Sequence, residues 1–127
     1  MTVLWIAIGG ALGSLGRYWV SEALAIALGP AFPWGTLLVN VSGSFVIGFV
    51  AGGSGAGGRW MESAFARQFI MIGLCGGYTT FSAFSLQTLA MLQAGDLGRA
   101  GLNAAGSVGL CLAATCLGFA AAAALTR

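Results

Sequence analysis

Residues Gly73–Ser85 read GLCGGYTTFSAFS, and the setting of this stretch decides the fold. Three glycines, two threonines and two serines crowd together here, with no charged side chain nearer than Arg67 on one side and Asp96 on the other. Gly76 and Gly77 followed by Tyr78, Thr79 and Thr80 weaken an α-helix, through backbone entropy and through hydroxyls that compete for peptide groups. The uncharged run from Gln68 to Gly95 would extend about 42 Å as a straight helix, enough to cross a hydrocarbon core of about 30 Å with one interruption. Non-helical backbone at that depth survives only when it is buried in protein or lines a cavity. The stretch therefore predicts a membrane helix broken near its middle at Gly76–Thr80. Carbonyls and amides freed near the mid-plane are the groups from which discontinuous helices build ion sites.

The rest of the chain suits the same medium. Of 127 residues 58% are hydrophobic and only 6% charged, with Gly 22 and His 0, so a water-facing surface cannot be assembled from it. No Asp, Glu, Lys, Arg or His lies between Glu22 and Arg59, between Arg67 and Asp96, or between Arg99 and Arg127. Each gap exceeds the roughly 20 apolar residues that a spanning helix needs. In the first gap, Pro30 and Pro33 of GPAFPWG end one helix and leave Gly35 onward to start another. Four transmembrane helices are predicted, at Val3–Leu28, Trp34–Gly52, Ser63–Gln93 and Arg99–Leu125, forming one all-α domain over residues 1–127. A flexible polar loop, GGSGAGGR, separates the second from the third. The start, MTVLWIAIGG, lacks the basic region and cleavage pattern of a signal peptide and reads as a mature span. Cys75, Cys111 and Cys116 all fall within spans and read as buried small side chains rather than as a disulfide framework or a metal site.

The net charge of +2 does not point to nucleic acid, because the five arginines are scattered and form no patch. With four spans, Arg59, Arg67 and Arg127 fall on the side of both termini, and Arg17 and Arg99 on the other. That bias is too small for the positive-inside rule to fix an orientation, which allows insertion in both directions. Four short helices enclose no central cavity alone. Small-xxx-small spacings at Gly9/Gly13, Gly48/Gly52 and Gly73/Gly77 permit close helix contact, so an oligomer is expected. Chains inserted in opposite directions would form an antiparallel, dual-topology homodimer.

Intramembrane polar groups carry the functional signal, since they are costly unless satisfied. Thr36, Asn40 and Ser44 share one face of the second helix, and Asn103, Ser107, Cys111 and Thr115 keep the same spacing on the fourth. On the third, Phe81 and Phe84 share a face that Thr80 and Thr88 continue. Such stripes can be simple interhelical glue. Three aligned stripes with Asn40 at mid-span favour a solute path instead. No carboxylate lies mid-membrane to attract cations or relay protons, whereas the Asn40 amide and the hydroxyls can donate hydrogen bonds. The positive edge of a phenyl ring adds a further way for Phe81 and Phe84 to solvate a small anion.

Three motifs, GGALGSLGRY at Gly9–Tyr18, GTLLVNVSGSFVIG at Gly35–Gly48 and GLCGGYTTFSAFS at Gly73–Ser85, resemble the signatures of the Fluc (CrcB-type) fluoride channels. The resemblance covers the whole chain in motif order. It implies an antiparallel homodimer in the inner (plasma) membrane, with two pores that pass fluoride passively and select against chloride. By motif, Asn40 is the pore-lining amide, Phe81 and Phe84 are ring-edge ligands contributed across the dimer, and Ser82 joins Thr36 and Ser107 in the polar lining. Gly76 and Thr79 match positions whose backbone carbonyls, from both subunits, hold a structural Na⁺. Arg17 matches the family's first-helix arginine and is expected near a vestibule mouth.

The chain departs from that family at Ala83, often Thr or Ser there, and at Gln87, often glutamate. A fourth-helix Tyr and two Ser become Asn103, Ser107 and Cys111. A small multidrug exporter is also four-helical and dual-topology, but its proton coupling needs an embedded carboxylate, and Glu22 sits near a helix end beside Arg17. A non-transporting assembly subunit would need only the glycine-rich packing faces. An enzyme is disfavoured by the lack of a nucleophile–base pair or metal-ligand spacing.

Overall fold

The structure, a computed structural model, describes residues 1–53 and 63–126. In chain order these form α1 (Thr2–Leu28), α2 (Trp34–Gly52), a π-helical segment (Ala66–Cys75), α3 (Gly76–Tyr78), α4 (Phe81–Gln93) and α5 (Leu97–Leu125). The π-helical segment, α3 and α4 together make the third span, Ala66–Gln93, and four helices are long and apolar enough to cross a membrane. The chain is an all-helical, multi-pass membrane protein with a broken third helix. The GGSGAGGR loop beyond Gly53, with Arg59, and also Arg127, lie outside the described residues.

Local chemistry sets the boundaries. α1 stops at Gly29, whose φ of 82° suits glycine and whose N–H still reaches the Ala25 carbonyl at 2.9 Å. The two prolines follow, and α2 opens at Trp34 as expected. α4 turns into α5 through a Schellman cap: Gly95 has φ 79°, its N–H donates to Leu92 O at 3.1 Å, and the Asp96 N–H donates to Met91 O at 2.9 Å. α5 begins two residues earlier than expected because Asp96 caps it, accepting the Arg99 N–H at 3.1 Å. At the other end of the third span Ser63 caps the helix, its Oγ accepting the Ala66 N–H at 3.1 Å and its carbonyl the Arg67 N–H at 3.2 Å, so helical residues begin at 64, just after the expected Ser63.

A π-helix of this length is unusual, because such geometry mostly appears as a single bulged turn. Nothing in ARQFIMIGLC signals it. The segment packs along α1, and α2 packs along α5, while α4 leans mainly on α5 and touches α2 more lightly. The interior is built of small side chains: Val39, Ala100 and Ala122 are buried, whereas Ile26, Leu102 and Leu117 point outward, as in a protein whose solvent is lipid. Cys75 is buried as expected, Cys111 half-buried and Cys116 exposed, and all three are free thiols.

Backbone meets backbone at both main crossings. A Cβ added to Gly13 would strike the Leu74 carbonyl, and one added to Gly48 would strike that of Thr115. The small-residue spacings, read in the sequence as oligomer contacts, thus serve helix packing within the chain. Gly48→Ala should lower the unfolding midpoint in detergent, with a loss of about 1–3 kcal/mol from overpacking. Gly101→Ala, where an added Cβ meets nothing within 4 Å, should hold or raise it. Circular dichroism melts of the two variants check this.

Candidate functional site

The third span changes direction over two residues. Thr79 (φ −85°, ψ 156°) and Thr80 (φ −152°, ψ 117°) are extended, between α3 and α4. Before the gap, the Thr79 N–H and hydroxyl both donate to the Cys75 carbonyl, at 3.0 and 2.8 Å. After it, Thr80 Oγ1 caps α4 by accepting the Ala83 N–H at 3.2 Å. The break expected at Gly76–Thr80 therefore falls at its C-terminal end.

Asn40 of α2 satisfies the peptide groups that the gap exposes. Its Oδ1 accepts the Thr80 N–H at 2.7 Å, and its Nδ2 donates to the Thr80 carbonyl at 3.0 Å. In a continuous helix the Thr80 N–H would have gone to the Gly76 carbonyl. Binding it to Asn40 takes that donor away from Gly76. Gly76 is exposed, with open space where a Cβ would stand, and both Gly76 and Thr79 border the cavity described next. A carbonyl robbed of its helical donor on an open face suits a cation ligand. One hydrogen on Asn40 Nδ2 is still available to a solute, because a carboxamide carries two.

A cavity of about 420 Å³ lies against the break, lined by Asn40, Thr80, Phe81, Phe84, Ser107 and Cys111 among others, none of them charged. The two rings are tilted at 45° with centroids 5.4 Å apart. Their settings differ sharply: Phe84 is 9% exposed and Phe81 77% exposed. Behind Ser107 runs a chain of polar groups, in which the Ser107 hydroxyl donates to buried Asn103 Oδ1 at 3.3 Å and Asn103 Nδ2 donates to half-buried Thr88 Oγ1 at 3.0 Å.

The structure thus gathers Asn40, Phe81, Phe84, Ser107, Gly76 and Thr79 at one place. It sets others apart. Thr36 is buried one turn from Asn40 and lines a second cavity of about 390 Å³, with Glu22, Trp34 and Gln87. Gln87 Oε1 is buried there without a hydrogen-bond partner among the described residues. Ser82 is exposed, with its hydroxyl 3.2 Å from Thr80 Oγ1. Arg17 lines neither cavity, and its Nε donates to the Gly77 carbonyl at 3.1 Å, at the C-terminal end of α3 where a cation is favoured. Sequence reasoning missed this contact, and missed that Asn40 splints the break; the i+40 pairing of Asn40 with Thr80 has no local signature.

Comparison with known proteins supplies the family. Residues 4–119 match the family described as CrcB-like protein, Camphor Resistance (CrcB). A protein of Methylocella silvestris named fluoride-specific ion channel FluC is 54% identical over all of this chain and 97% of its own length. One of the same name from Opitutus terrae is 56% identical over 94% of this chain and 90% of its own. Another, from Paramagnetospirillum magneticum, is 49% identical over all of this chain and 99% of its own. With the broken helix, its uncharged cavity and these matches along nearly the whole sequence, the chain belongs to the CrcB-like family.

Proposed function

We propose that this chain is a fluoride-selective passive channel of the cell's inner (plasma) membrane, and that it conducts as an antiparallel, dual-topology homodimer with two pores. The observation that carries the reading is the cavity at the break: the Asn40 amide and the rings of Phe81 and Phe84 line it, with no carboxylate among its lining residues. The names of the relatives support the choice of fluoride. A small anion must shed water to enter such a site, and the free Asn40 N–H and the positive edges of Phe81 and Phe84 replace part of that hydration. A neutral site holds the anion weakly enough to release it. HF enters cells as the neutral acid and dissociates in a less acidic interior. The trapped anion then leaves down the membrane potential, worth about 2.3 kcal/mol per charge per 100 mV.

Phe81 supports the dimer. A phenyl ring that lines the cavity yet is 77% exposed is left largely uncovered by a single chain. A second copy in the opposite sense would cover it and bring two breaks together. The carbonyls of Gly76 and Thr79 from both chains would then hold a structural Na⁺, which supplies fixed positive charge between the anion paths.

Proteoliposomes containing only this protein test the function: fluoride should leave much faster than chloride, and equal release of both would refute selectivity. Asn40→Asp keeps the acceptor for the Thr80 N–H but loses the donor to its carbonyl and adds a poorly screened like charge. Efflux should fall to background, with a stability loss of about 1–3 kcal/mol from the orphaned carbonyl; undiminished flux would place Asn40 outside the path. Phe81→Ile is a cleaner probe than Phe84→Ile, whose buried ring also packs the fold. It should cut flux about tenfold, the size of an aromatic edge contact near 1.4 kcal/mol, in a chain of unchanged melting temperature. For topology, Ala94→Cys in the α4–α5 turn, on a background free of native thiols, should react with impermeant reagents from both faces of the membrane. Labelling from one face alone would eliminate the antiparallel dimer.

A further inference from the structure

Half-buried Thr88 on α4 and buried Asn103 and Ser107 on α5 form a hydrogen-bonded chain with a forced direction. The Phe84 carbonyl has no proton to give, so the Thr88 hydroxyl donates to it, at 2.7 Å. With its hydrogen committed, Thr88 Oγ1 accepts, and the amide end of Asn103 turns towards it. The carbonyl end, Asn103 Oδ1, is left facing Ser107 and takes the hydroxyl hydrogen at 3.3 Å. Asn103 is 2% exposed and Ser107 6% exposed, so the two are screened from competing partners. Ser107 also lines the cavity beside Asn40 and Phe84. The cavity therefore meets Ser107 as a pair of lone pairs, the wrong polarity for an anion.

We propose that Asn103 is a positioning residue that withholds the Ser107 proton from the cavity, so that an anion gains this donor only when the hydroxyl rotates away from Asn103 Oδ1. The inference rests on the channel reading above and deepens it. Rotation strands Asn103 Oδ1 in a buried site, which weakens the hold on the anion at Ser107. The link that must open, Ser107 to Asn103, is also the longest of the three, so the chain yields at that point and stays intact between Thr88 and Phe84. Asn103 thus loosens the site without placing any charge in it, which serves a pore whose ions must leave quickly.

The test is the fluoride concentration that gives half-maximal efflux from proteoliposomes. Thr88→Val removes the acceptor that orients the amide, letting Asn103 turn its N–H to Ser107 and releasing the Ser107 hydrogen to the cavity. The half-saturating concentration should fall about fivefold, the order that one buried hydrogen bond commands. Asn103→Leu, which removes the competing acceptor at similar volume, should lower it likewise and carries the test alone if Thr88→Val fails to assemble. Thr88→Ser should restore the wild-type value. In a Ser107→Ala background Thr88→Val should produce no shift, a dependence that a merely structural role for Thr88 and Asn103 would not create. An unchanged or raised value in the single variants, or the same shift without Ser107, overturns the proposal while wild-type efflux stands. Wild-type vesicles that retain their fluoride would overturn the channel reading, and this inference with it.

Discussion

A helix interrupted inside a membrane has no water to satisfy its peptide groups, and here one side chain answers that constraint. Asn40 gives and takes a hydrogen bond with the same residue, Thr80, so that the carboxamide stands in for the missing turn. Each unsatisfied group in hydrocarbon would cost several kcal/mol. Everything near the site follows from this splint. It holds α4 at its angle to α3, it denies Gly76 its helical donor, and it leaves one hydrogen of Asn40, a cavity-lining residue, uncommitted.

The second support is electrostatic and comes from the other side of the break. α3 is a single turn ending at Tyr78, and its C-terminal carbonyls carry partial negative charge. Arg17 meets them through Gly77. Asn40 from α2 and Arg17 from α1 therefore grip the two ends of the gap, one with a neutral amide and one with a full charge. The glycine-lined crossings bring α1 close enough for this reach, since Gly13 lies against the Leu74 backbone four residues before Tyr78.

Much of the fold was legible because each boundary has a chemical marker in the sequence. Pro30 and Pro33 closed α1 and opened α2, and the hydroxyl and glycine cluster at 76–80 marked the break. The matching of Asn40 with Phe81 and Phe84 was legible too, through helical spacing and family motifs. What was hidden depends on tertiary placement. Thr36 and Asn40 share a helical face, yet one turn of rise carries Thr36 to a different cavity with Glu22 and Gln87. Phe81 and Phe84 looked equivalent in sequence, but a three-residue step puts one ring inside and the other outside. The π-helical stretch, packed along α1, had no marker in its residue types. The glycine spacings were visible, but the sequence could not say that their partners lay in the same chain.

Those crossings have a dynamic consequence. Shear motions of packed helices work by small displacements accommodated in the side-chain layer between them. Where Gly48 lies on the Thr115 backbone and Gly118 on that of Phe45, there is no such layer. The frame is therefore stiff in the direction along which helices normally slide. Among the described residues, exposed rings such as Phe81 and hydroxyl rotors are not held in this way, and such groups move in picoseconds to nanoseconds rather than the microseconds to milliseconds of hinged domains. A pore in this frame would be timed by rotamers, with its helices standing still.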